Sequence, residues 1–66
     1  MSRAWYKYET GNEKTRDALC RHLRRTGVQY EVHDDSKRMR CDWWRIAILI
    51  YDDKQVQEIN TWLNTH

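Results

Sequence analysis

The chain has 66 residues, 39% of them hydrophobic and 33% charged, with four Trp, four Tyr and no Phe; this bounds it to one compact domain, 1–66, whose core is built from few side chains, and excludes a disordered chain. No run approaches the roughly 20 apolar residues of a membrane span, and the N-terminal segment lacks the apolar stretch of a signal peptide, so the expected location is cytoplasmic. The net charge of +2 hides an uneven distribution: Lys14 to Arg40 carries eight Lys or Arg against four Asp or Glu, whereas the chain from Cys41 onward is net acidic.

Residues 2–9 alternate, with Ala4, Tyr6 and Tyr8 on one face and Arg3, Trp5, Lys7 and Glu9 on the other. This is the pattern of a half-buried strand whose charged set faces water. The alternation alone leaves open whether the tyrosines or Trp5 turn inward. Thr10 and Glu13 have capping-box spacing, so a helix is expected to begin there. Its apolar stripe runs through Thr15, Leu19, Leu23 and Thr26, with Lys14, Asp17, Arg21, Arg24 and Arg25 opposite and an Asp17–Arg21 pair at i,i+4. Arg24 and Arg25 suit the negative end of the helix dipole, and Gly27 reads as the C-cap.

Val28 to His33 alternates again, with Val28, Tyr30 and Val32 toward the core. Residues 34–39 read as a polar turn. It leads into Arg40 to Tyr51, the one continuous apolar run, which is rich in β-branched and aromatic residues and holds neither Gly nor Pro. This third strand directs Trp44, Ile46, Ile48 and Ile50 one way, and Cys41, Trp43, Arg45, Ala47, Leu49 and Tyr51 the other. Asp52 or Asp53 caps a second helix from about Lys54 to Asn64, with Val56, Ile59 and Leu63 at helical spacing.

The order β-α-β-β-α nearly fixes a topology. A strand, helix and strand in one sheet cross over right-handedly and leave the two strands parallel, and the third strand then returns antiparallel between them. The expected fold is α+β: a three-stranded sheet of order 1-3-2 with two helices on its isoleucine face, a ferredoxin-like half lacking the last strand.

Helices on one side leave the other sheet face open, carrying Trp5, Lys7, Gln29, Glu31, His33, Trp43, Arg45 and Leu49. Exposed apolar side chains on such a face mark an interaction surface. The expectation is a non-enzymatic module of regulator or inhibitor type, binding a protein partner or forming a homodimer through Trp5, Trp43, Arg45 and Leu49, since Trp and Arg dominate binding hot spots. The alternative is single-stranded nucleic acid stacked on Trp5 and Trp43, its phosphates held by the turn residues Lys37, Arg38 and Arg40 and by the helix stripe Lys14, Arg21 and Arg25. A solvated surface accounts for the same basic residues without any ligand.

No cofactor or metal is expected. Cys20, His22, His33 and Cys41 lack zinc spacing, and a Cys20–Cys41 disulfide would have to cross the sheet. His33 and Cys41 are candidate neighbours across the hairpin but lack an orienting group, and Asp34-Asp35 and Asp52-Asp53 suit a turn and a helix cap. The layout resembles that of RNA-recognition domains, without their third-strand signature of a basic residue, Gly and alternating aromatics. Leu23-Arg24-Arg25-Thr26-Gly27-Val28-Gln29-Tyr30-Glu31-Val32-His33-Asp34 resembles the helix-to-strand passage of glutaredoxin-type thioredoxin folds. That family places its redox cysteine at the start of the helix and keeps a cis-proline loop. Here Thr10–Lys14 holds no cysteine and the chain holds no proline, so the resemblance implies a shared β-α-β turn and no activity.

Overall fold

The computed structural model describes residues 3–65; Ser2, where the first alternating stretch begins, lies outside them. The elements follow as β1 (Ala4–Thr10), α1 (Glu13–Thr26), β2 (Tyr30–Asp34), a one-turn α2 (Ser36–Met39), β3 (Trp44–Ile50) and α3 (Asp53–Thr65). The sheet order is β1-β3-β2, with β3 antiparallel to both neighbours, so β1 and β2 run parallel and α1 is their crossover. This is the α+β arrangement expected from the sequence.

Both main helices pack on the isoleucine face. Leu19 and Leu23 from α1, Ile46, Ile48 and Ile50 from β3, and Ile59 from α3 form the core, and Tyr6, Tyr8, Tyr30, Val56, Trp62 and Leu63 pack around it. The tyrosines of β1 therefore face inward, and Tyr6 Oη donates to Asn60 Oδ1 of α3 at 3.0 Å. At the α1 end of this layer, Arg16 lies 4.3 Å over the Trp44 ring while its guanidinium pairs with Asp17 at 2.9 Å. Asp17 is thus engaged by Arg16, not in the predicted pair with Arg21.

The helix ends explain several differences from the sequence reading. Asn12, not Thr10, caps α1: its side-chain oxygen accepts from the N–H groups of Lys14 and Thr15, while buried Thr10 Oγ1 accepts from Asn12 N–H. No Thr10–Glu13 capping box forms, because Asn12, two residues closer to the free amides, occupies the cap position. Gly27 closes α1 with φ +76°, its N–H bonding Arg24 C=O, as the C-cap reading requires. For α3, Asp52 Oδ1 accepts from Gln55 N–H and Gln55 Oε1 accepts from Asp52 N–H, a reciprocal pair.

The expected polar turn contains α2. Arg40, in the left-handed region at φ 60°, ends it with its N–H bonded to Ser36 C=O at 2.8 Å. β3 consequently starts at Trp44 and not at Arg40. Cys41 stands exposed before the strand, and the cross-strand neighbour of His33 is Arg45 rather than Cys41. Val28 precedes β2, and Val32, on the helix side of that edge strand, is 42% exposed instead of buried.

Two substitutions test this account by chemical denaturation. A Cβ added at Gly27 meets nothing within 4 Å, so Gly27→Ala costs about 1–2 kcal/mol through left-handed backbone strain alone. Fully buried Leu19→Ala costs about 2–5 kcal/mol, a large part of the roughly 3–10 kcal/mol a domain of this size holds.

Candidate functional site

The open face is a shallow trough across three strands. Its walls come from the edge strands and its floor from β3, because side chains of one parity share a face. In register, Trp5 stands opposite Leu49, Ala47 lies between Lys7 of β1 and Glu31 of β2, and Arg45 lies between Glu9 of β1 and His33 of β2. A groove of about 370 Å³ is lined by Trp5, Lys7, Glu31, His33, Arg45 and Ala47. Ala47 makes the groove: it is the one small residue between Arg45 and Leu49 on this face of β3. The sequence reading overlooked it, although that gap in side-chain size was visible.

The four residues assigned to partner binding have unequal roles. Trp5 is 45% exposed on the groove wall, and Arg45 lies half-buried on the floor. Leu49 faces the groove side but is only 6% exposed, so it supports the face rather than anchoring a partner. β3 is central, and flanking strands cover what an edge strand would expose. Trp43 lies half-buried at the end of the sheet, its Nε1–H donating to Glu9 Oε1 at 3.1 Å. Its ring presses on Gly11, where an added Cβ would fall 3.0 Å from the ring and 3.0 Å from Asp42 C=O. Gly11 is therefore required by close approach.

The nucleic-acid candidates divide between two places. Arg38 pairs with Asp35 at 3.0 Å and with Glu9 at 3.6 Å, so its charge is already answered by carboxylates. Lys37 and Arg40 flank it, exposed, on α2 and its cap. Asp34 Oδ1 accepts from Ser36 N–H at 2.8 Å, and hydrogen bonds from the Ser36 side chain and backbone hold the Asp34 carboxyl below the usual carboxylate range. Lys14, Arg21 and Arg25 are exposed on α1, across the sheet from Trp5. Single-stranded binding that used both sets would have to wrap around the sheet.

A wider depression of about 770 Å³ lies between α1 and α3, lined in part by His22, Thr26, Lys54, Glu58 and Trp62. Its aromatic element is already engaged: Trp62 stacks on His22 with ring centroids 4.8 Å apart and packs on the core. Among the described residues, no group of three or more His, Cys, Asp or Glu has the arrangement of a metal site. Both cysteines are free; burial raises the pKa of the Cys20 thiol, and Cys41 is exposed. Among the described residues, no helix is long and apolar enough to cross a membrane.

Two measurements check this geometry. A thiol-alkylating reagent at mildly alkaline pH modifies Cys41 well before Cys20, as read by mass spectrometry. In a carboxyl NMR titration, Asp34 protonates below the ordinary carboxylate range. Because its folded pKa is depressed, its stabilising contribution is complete above about pH 4 and is lost as pH falls through the folded value; Asp34→Asn removes that dependence. Comparison of the chain with protein-family models, with characterised proteins and with solved structures found no match.

Proposed function

We propose that this protein is a small non-enzymatic binding module, of regulator or inhibitor type, that docks on a protein surface through its open sheet face. The observation that carries the reading is the groove over Ala47, with half-exposed Trp5 on one wall. An aromatic wall beside a small floor residue accepts an inserted side chain, and burial of such an anchor dominates the energy of a protein interface.

The charges around the groove sharpen the choice of partner class. Lys7 and Arg45 stand beside Glu31 and His33, with Glu9 at the same end as Arg45. A mixed rim complements a protein surface that carries both signs. A polyanion would gain from Lys7 and Arg45 but meet Glu9 and Glu31, and the strong single-sign field that drives phosphate binding is lacking on this face.

The test separates the two partner classes. Trp5→Ser and Arg45→Ala, each with an unchanged circular-dichroism spectrum, lower partner capture at least about tenfold when tested singly. Anisotropy of a labelled single-stranded oligonucleotide stays flat at about 50 mM salt and at about 200 mM. Salt-sensitive binding that disappears in a Lys37→Glu/Arg40→Glu variant would replace this reading with single-stranded nucleic-acid recognition.

A further inference from the structure

The sheet has two free edges, and its hydrogen-bond ladder identifies the backbone groups on each. Leu49 N–H donates to Gln29 C=O at 2.9 Å, and Asp35 N–H donates to Trp43 C=O at 2.9 Å. Odd-numbered residues of β3 therefore bond toward β2 and even-numbered residues toward β1. On β1, Ala4, Tyr6, Tyr8 and Thr10 bond inward, so Trp5, Lys7 and Glu9 turn their N–H and C=O groups outward. Arg3, immediately before β1 and two residues before Trp5, has the same parity.

We propose that β1 pairs antiparallel with β1 of a second copy of this chain, with Tyr6 on the twofold axis, joining two three-stranded sheets into one of six strands. In that register Arg3 of each copy faces Glu9 of the other, and Trp5 faces Lys7. Each pairing occurs twice, as twofold symmetry requires. Residues 3, 5, 7 and 9 of both strands exchange backbone hydrogen bonds, while an opposite-charge pair and a cation–aromatic pair form on the open face. On the helix side Ala4 meets Tyr8, small against large.

The neighbouring registers are poorer. Placing Lys7 on the axis sets it against itself. Placing Tyr8 there pairs Lys7 with Glu9 but sets Trp5 opposite Gly11 and Arg3 opposite Glu13, both beyond the end of β1, so neither pairing can join a strand ladder. Glu9 is already positioned for the favoured register: Trp43 and Arg38 both engage Oε1, so Oε2 can take the incoming Arg3. The other free edge is shorter, offering only Tyr30, Val32 and Asp34, and β2 has no Lys or Arg to answer Glu31 and Asp34. Charge complementarity thus selects β1 as the edge and a second copy as its partner.

This interface uses the backbone edge and leaves the groove floor uncovered, so it does not rest on the open-face reading. The test is sedimentation velocity of the full chain over a wide concentration range, in which wild type dimerises. Lys7→Pro removes only an outward N–H and keeps the β1–β3 ladder, so it yields a folded monomer. Arg3→Glu and Glu9→Arg each set like charges opposite each other twice, and each alone weakens the dimer at least about tenfold. A one-to-one mixture of these two variants restores wild-type affinity, because the mixed dimer has opposite charges at both pairs. Arg45→Ala, on the central strand, leaves dimerisation unchanged while removing a groove contact, so the two readings fail separately. A wild-type monomer at every concentration, a dimer that survives Lys7→Pro with the fold intact, or a mixture no tighter than its parents would each overturn the proposal. Arg3 precedes the β1–β3 ladder, so Arg3→Glu remains informative if Glu9→Arg fails to fold.

Discussion

The structure depends on β3 being enclosed on all four sides. It is bonded to a strand along each edge, and five consecutive residues, Ile46 to Ile50, are buried. Three isoleucines point into the layer formed by Leu19, Leu23 and Ile59, while Ala47 and Leu49 are shielded on the opposite face. A chain of this length has little apolar surface to bury, so nearly all of it is concentrated around one strand. Exposure is left to the flanking strands, and most of the side chains available for recognition lie there.

This division shapes what the surface can do. The end of the sheet near α2 is tied together by Glu9, which accepts from Trp43 and pairs with Arg38, itself paired with Asp35. The arrangement draws charge from the basic turn into internal pairs and fixes a Trp ring against Gly11. What remains outward is a mixed-sign rim around Trp5, on a face separated by the sheet from the cationic stripe of α1. Exposed ion pairs of this kind add little stability; their larger effect is to decide which partners the surface repels.

The core was legible because its signals are local and redundant. Ile46, Ile48 and Ile50 alternate, Leu19 and Leu23 are one helical turn apart, and Gly27 follows a basic helix end. The connection rule for β-α-β units then left few sheet orders. The misreadings sit where two local patterns compete. Thr10 and Asn12 both have capping chemistry, and the chain path chose Asn12. Residues 36–39 have turn composition and also close a single helical turn, which moved Cys41 and Trp43 out of the strand and away from the neighbours their parity implied.

Composition and periodicity by themselves determined the α+β class, the central place of β3, and the covering of the isoleucine face by α1 and α3, because burial of apolar stripes dictates these features. They also placed Arg45 on the opposite face, while the inward side of β1, and with it the exposure of Trp5, was settled only by the packing of Tyr6 and Tyr8 on the core. Exposure, however, is a property of the assembled sheet. Only the tertiary structure decided that Leu49 is shielded by its central position, that Val32 is uncovered at an edge, that Ala47 opens a groove, and that Arg38 is held by Glu9, a residue far away in the chain. Each of these depends on which strands become neighbours, and that is fixed when the whole core closes rather than by any stretch of sequence alone.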